Sequence, residues 1–278
     1  MADRVGLGWR RELALGVWAH LDRIDLLELI ADDYFSAPRR EVEALETLAR
    51  RVPVVIHGLG LGLASSGGVE TCRLERMARL VERLRPESWS EHLAFVRAGG
   101  FEIGHLAAPP RTPSTVEAAA RNLRRARAVV GTSPLVENIA TLIDPPASCL
   151  SEASWIAQIL EGSDCPLLLD LHNLYANAVN HGYDAVGFLD RIPIERVGAI
   201  HVSGGRWIPA PGGARVLDDH LHDVPEPVYG LLEEVAARAR QPLTVILERD
   251  GAYPGMDRLL AQLDGLRGAV ARGRNRRR

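Results

Sequence analysis

Eight short β-type runs alternate with stretches of helical period along nearly the whole chain, and few folds accommodate that order. The runs are RVGLGW (4–9), RIDLLELI (23–30), VPVVIH (52–57), SWSEHLAF (88–95), PLVENI (134–139), PLLLDL (166–171), RVGAIHV (196–202) and LTVILE (243–248). Residues 41–51, 70–84, 114–130, 151–162, 225–240 and 256–266 repeat apolar residues three and four positions apart, as an amphipathic helix does. Ser114 ahead of Glu117 and Ser151 ahead of Ser154 supply helix-start signals. Such alternation over about 260 residues predicts a (β/α)8 TIM barrel, a single domain over 1–270. A doubly wound open sheet is the alternative. GLGLGLASSGG (58–68) follows a strand, but it lacks the GxGxxG spacing and the downstream acidic residue of a dinucleotide site. It reads as a flexible loop rather than a phosphate cradle.

Composition narrows the function classes. With 278 residues and 46% hydrophobic content the chain buries a large core, and no linker or repeat divides it. A net charge of -3 and a pI near 6.3 give no electrostatic case for nucleic-acid binding. The one basic run, RGRNRRR (272–278), follows the last apolar periodicity, so 271–278 reads as a disordered tail. Cys72, Cys149 and Cys165 form no CxxC pair, which points to a reducing compartment. No signal peptide or membrane span is legible. The expectation is a cytoplasmic protein.

In a barrel, side chains at the C-terminal strand ends converge on one face. Here the third to eighth strands carry His57, His92, Glu137, Asp170, His201 and Glu248 at or near their C-terminal ends. Any one of them alone reads as a hydrogen-bonded structural group. Burying three carboxylates together, however, costs many kcal/mol unless protons or cations neutralise them. Three imidazoles and three carboxylates suit divalent first-row metals, and the absence of cysteine argues against a closed structural zinc site. Six ligands suffice for two ions, with Glu137, in the middle of the series, as the bridge. His172 and Asn173 lie just beyond Asp170, and Asp218 and His220 follow the seventh strand; they supply a more exposed third position. His172, Asn177, Asn180 and His181 either line the substrate mouth or serve structure. His20 and His105 fall outside the strand-end register.

With these residues in hand, the chain resembles the multinuclear non-haem iron-dependent oxidases, whose members include the oxazolone- and thioamide-forming enzyme of methanobactin biosynthesis. LLLDLHNLYANAVNHG resembles that family's D-x-N-N-x-Y…N-H-G segment, and VIHGLGLGLAS, SEHLAF, PLVENIA, AIHVSGG and LDDHLHDVPEPVY follow in its order. The resemblance implies a barrel with two or three mixed-valence Fe2+/Fe3+ ions, O2 as co-substrate and a ribosomally made precursor peptide, often modified at cysteine. It implies a separate partner protein that binds the leader segment. His57, His92, Glu137, Asp170, His201 and Glu248 would hold two irons, with Glu137, Asp170 and His201 catalytic. Asn173, Asp218 and His220 would contribute to a third.

Departures from the family pattern are specific. Gly205 stands where a second histidine usually follows the seventh strand, His172 replaces the first asparagine of the pair, and Asp32 and Asp33 stand where Glu and Asn are common. Two other readings compete. One is redox-neutral metal chemistry of the sugar-isomerase or endonuclease kind; the acidic charge weighs against a nuclease, and no lysine sits at a rim position for an isomerase. The other is an inactive metal-bound scaffold that binds a peptide.

Overall fold

The computed structural model describes residues 2–277. The chain opens with β1 (Arg4–Gly8), α1 (Ala14–Ala19), β2 (Leu27–Ile30), α2 (Arg39–Ala49), β3 (Val54–Gly58) and α3 (Thr71–Leu84). Next come β4 (Trp89–His92), β5 (Phe95–Ala98), β6 (Phe101–Ala107), α4 (Pro113–Val130), β7 (Leu135–Glu137) and α5 (Glu152–Ser163). Then follow β8 (Leu167–Asp170), α6 (Leu171–His181), α7 (Ala185–Leu189), β9 (Val197–Val202), β10 (Arg206–Ala210) and β11 (Gly213–Leu217). The chain ends with α8 (Glu226–Arg238), β12 (Thr244–Leu247) and α9 (Met256–Arg276).

Eight of the strands close a barrel in the order β1-β12-β9-β8-β7-β4-β3-β2. All eight lie within the runs expected from sequence, apart from Gly58 at the end of β3. Apolar residues on both faces explain this: Val54, Val55 and Ile56, or Leu167, Leu168 and Leu169, are buried in succession, as parallel strands require. The strands of β1/β12, β12/β9, β3/β4 and β4/β7 pair in parallel.

The chain divides into two compact units. One comprises Met1–Leu27, Ala140–Asp144 and Leu168–Arg278; the other comprises Glu28–Ile139 and Pro145–Leu167. Within the first, α8 packs on α9 and α6 packs on α8, β9 and β11. Within the second, α3, α4 and α5 pack in sequence order. Thr112 caps α4 through a capping box with Thr115, two residues ahead of the expected Ser114, while Ser151 caps α5 as expected.

Three features were not anticipated or run against expectation. The 88–95 run splits at His92, and β5 and β6 form a separate antiparallel ribbon; β10 and β11 form another. The asparagine-rich stretch after Asp170 is the helix α6. The basic run expected as a disordered tail is helical through Arg276. Arg274 anchors it, donating to Asp3 and to the carbonyls of Ala236, Ala239 and Gln241, and Arg277 donates to Ala239 as well. No helix among the described residues is long and apolar enough to cross a membrane.

Candidate metal centre

Ladder register brings the first ligands together. His57 pairs with Ser90 across β3 and β4, and His92 pairs with Glu137 across β4 and β7. All four are buried. Glu137 Oε2 lies 3.4 Å from His57 Nε2 and 3.3 Å from His92 Nε2, and the two rings meet edge to face at 4.6 Å. The other ring nitrogens have partners of their own. Ser90 Oγ lies 2.8 Å from His57 Nδ1, and Glu91 Oε1 lies 3.4 Å from His92 Nδ1. With a proton on Nδ1, His57 donates to Ser90 Oγ, and the Ser90 hydroxyl donates onward to the Ile56 carbonyl at 3.4 Å. That tautomer leaves the Nε2 lone pair to bind a metal.

A second set forms where β8, β9 and β12 end. Asp170, His201 and Glu248 are 0%, 0% and 4% exposed, a burial that only compensated charges tolerate. Glu248 follows β12 directly, held by its amide donating to the Val202 carbonyl at 2.9 Å. Its Oε2 lies 3.0 Å from His201 Nδ1. Asp170 ends β8 and caps α6, accepting the Asn173 amide at 2.6 Å. Arg249, beside Glu248 in sequence, directs its guanidinium to the carbonyls of Gly251 and Ala252.

Two groups of ligand atoms result: His57, His92 and Glu137; and Glu137, Asp170, His201 and Glu248. Within each group the ligand atoms lie within 4.8 Å of one another, and Glu137 belongs to both. Nitrogen and carboxylate donors without cysteine are the donor chemistry of a divalent first-row ion, so the residues fit such a metal.

Asp218 and His220 fall in neither group. Asp218 Oδ1 instead joins two imidazoles, at 2.8 Å from His172 Nδ1 and 3.0 Å from His220 Nε2. His220 Nδ1 in turn lies 3.1 Å from Asp250 Oδ2 and 3.7 Å from Glu248 Oε2. Burial opposes ionisation of Asp218, but His220 and His172 outweigh it and hold its carboxyl well below the usual range. Burial likewise opposes charge on His220, and Asp218, Glu248 and Asp250 overcome it and raise the imidazole well above its ordinary value.

The side chains expected at the substrate mouth lie on α6. His172 is buried, and its ring fills the space where a Cβ on Gly205 would sit, 2.6 Å from Cε1. Asn177 Oδ1 accepts the Thr141 amide at 2.7 Å. Asn180 holds both the amide and the carbonyl of Val216, at 2.8 and 2.9 Å. His181 Nε2 lies 3.0 Å from Thr141 Oγ1. Together they fasten α6 to the 140–144 segment and to β11. Sequence reasoning passed over Ser90, Glu91 and Asp250; the alternation in WSEH, which sets Ser90 on the same strand face as His92, was the available signal.

Solved structures share the fold. L-ribulose 3-epimerase matches with a TM-score of 0.67 at 14% identity, over 99% of this chain and 97% of its own. A zinc-bound IOLI protein matches at 0.61 and 8%, over 99% of each. Among sequences, a UPF0276 protein of Streptomyces avermitilis is 37% identical over 94% of this chain. This chain spans only 54% of that relative's length. A UPF0276 protein of Bordetella bronchiseptica is 32% identical over 97% of this chain and 93% of its own. Residues 4–271 match the family described as RiPP precursor modification enzyme MbnB/TglH/ChrH, and the chain belongs to that family.

Proposed function

We propose that this chain is a multinuclear iron- and O2-dependent oxidase that modifies a residue, often cysteine, of a ribosomally made precursor peptide. The observation that carries the reading is the sharing of Glu137 between two buried His/carboxylate groups. His57, His92 and Glu137 would hold one iron, and Glu137, Asp170, His201 and Glu248 a second. Asn173, Asp218 and His220 stand as the third position. Iron bound there supplies Lewis acidity toward a substrate thiolate and electrons for O2.

The chain's own residues perform the remaining tasks. Ser90 fixes the tautomer of His57 and Glu248 orients His201, so the donor atoms are set before a metal arrives. Near-complete burial of the donors excludes water and strengthens every charge interaction among them. A separate protein that binds the leader segment of the precursor belongs to the same proposal.

Elemental analysis of protein produced with iron and purified without oxygen tests the reading. Two or more irons per chain, with O2 uptake on adding the precursor, support it. Tightly held zinc or manganese with little iron would replace it with redox-neutral chemistry. Absence of bound metal would overturn it.

A further inference from the structure

The glycine-rich segment begins one residue past His57, with Gly58 at the end of β3, and its backbone is gripped by two carboxylates. The Leu59 amide donates to Asp32 Oδ2 at 2.8 Å, and the Leu61 amide donates to Glu91 Oε2 at 3.0 Å. Glu91 is 0% exposed, and its other oxygen accepts the His92 amide at 3.0 Å while lying 3.4 Å from His92 Nδ1. Arg97 donates to the Gly60 carbonyl. Gly58 and Gly60 leave room for this grip, although a Cβ at Gly58 would lie as close to Met77 Cε, at 2.8 Å, as to the carboxylate. A Cβ at Gly58 would lie 2.9 Å from Glu91 Oε2, and one at Gly60 would lie 2.6 Å from Asp32 Oδ1. Two alternate amides of the segment, those of Leu59 and Leu61, are thus paired with the protein's own anions, and the segment is pinned.

We propose that Asp32 and Glu91 are positioning residues for the first metal position: they clamp the 58–61 backbone and thereby fix His57, while Glu91 also orients His92. The inference rests on the reading of His57, His92 and Glu137 as metal ligands. Its geometry is that of a metal-bound histidine whose remote nitrogen meets a carboxylate. Glu91 differs from a lone orienting carboxylate because one side chain reaches both the ligand ring and the loop beside the other ligand. Asp32 occupies the place where the resembling family commonly has Glu, and a one-carbon-shorter acid reaches the Leu59 amide only because residue 60 has no side chain.

Cobalt(II) titration of the full, metal-free chain tests this, read by visible absorption, metals retained per chain and amide hydrogen exchange over 58–62. Glu91→Ala is expected to weaken one cobalt position roughly 10–100-fold, alter its spectrum and speed exchange at Leu61. Glu91→Gln, which keeps an acceptor for that amide, is expected to restore most of both. A Glu91→Ala protein with wild-type cobalt affinity and spectrum overturns the proposal. Should that variant fail to fold, Asp32→Ala decides: faster exchange at Leu59 with weakened cobalt binding supports the clamp, and unchanged binding refutes it. Wild-type protein that takes up no cobalt would count against the metal reading itself. In that event the exchange measurement still decides the clamp, since an equally protected Leu61 amide in Glu91→Ala overturns it.

Discussion

Gly205 is where this chain departs most sharply from the pattern it resembles, and the backbone accounts for the departure. A Cβ added there would lie 2.2 Å from the Leu217 carbonyl oxygen and 2.6 Å from His172 Cε1. Non-bonded carbon contacts are comfortable at about 3.5 Å, so Leu217 would have to move by roughly 1 Å. Overpacking of that kind costs about 1–3 kcal/mol. Moving Leu217 also drags Asp218, whose Oδ1 joins His172 and His220 at 2.8 and 3.0 Å. Losing one hydrogen bond to a charged group adds about 1.5–3 kcal/mol. Gly205→Ala is therefore expected to cost about 2.5–6 kcal/mol, and to lower Tm by roughly 5–24 °C in a chain of this size. The assay is a thermal melt of metal-free protein followed by circular dichroism, at one scan rate for all variants. Adding His172→Ala removes the ring contact but leaves the backbone oxygen, so the double variant should recover less than half of the loss. A Gly205→Ala melt within about 2 °C of wild type would refute the reasoning.

Glu137→Gln should lower bound metal and O2 uptake together, because one carboxylate serves both groups; retained metal with retained activity would remove it from the bridging role. Ser90→Ala removes the oxygen at His57 Nδ1 and should weaken one metal position roughly tenfold, leaving the melt little changed. Truncation after Ala271 deletes the Arg274 and Arg277 bonds to Asp3, Ala236, Ala239 and Gln241, and should lower Tm measurably rather than leave it unchanged as loss of a loose tail would. At Asp3, burial is outweighed by Arg274 and the Leu243 amide, which lower the carboxyl below its ordinary 3.8. A depressed folded value means the stabilisation is present above the unfolded value and is lost as pH falls through the folded one. Asp3→Asn should therefore destabilise at pH 7 and become neutral in strong acid; a penalty that persists in acid contradicts this account.

The barrel strands were legible because parallel strands are buried on both faces, and uninterrupted apolar runs such as 167–169 have no other economical use at that length. The helix α6 was not. Asn173, Asn177 and Asn180 are poor helix formers, and none of the helical stretches expected from sequence covers the segment. What overrides the preference is tertiary. Asp170 caps the first turn, and Asn177, Asn180 and His181 fasten the helix through bonds to Thr141 and Val216, residues some 35 to 40 positions away. The arginine run after 271 misled for the complementary reason. Its cations satisfy carbonyls at the C-terminal end of α8, where a helix favours positive charge, and no periodicity within the run itself records that partner.

At the site, the six residues at the strand ends announced themselves as a series: acids and imidazoles recurring at the C-terminal ends of six buried strands are an anomaly that burial makes costly. Their supporting residues break no rule. Ser90 on a strand looks ordinary, and Glu91 becomes notable only once its two oxygens are seen on the His92 and Leu61 amides. Such roles are set by ladder register, which is non-local: Ser90 meets His57 because β3 and β4 align those two residues, and a shift by one would place Trp89 or Glu91 there instead. Anomalous residues can therefore be picked out of a single sequence, whereas the residues that aim them require the pairing of strands. For the same reason the clamp on 58–61 is the part of this centre most exposed to disproof by substitution: it depends on two carboxylates whose sequence neighbourhoods, DDYF and SEHL, have nothing in common but the loop they hold.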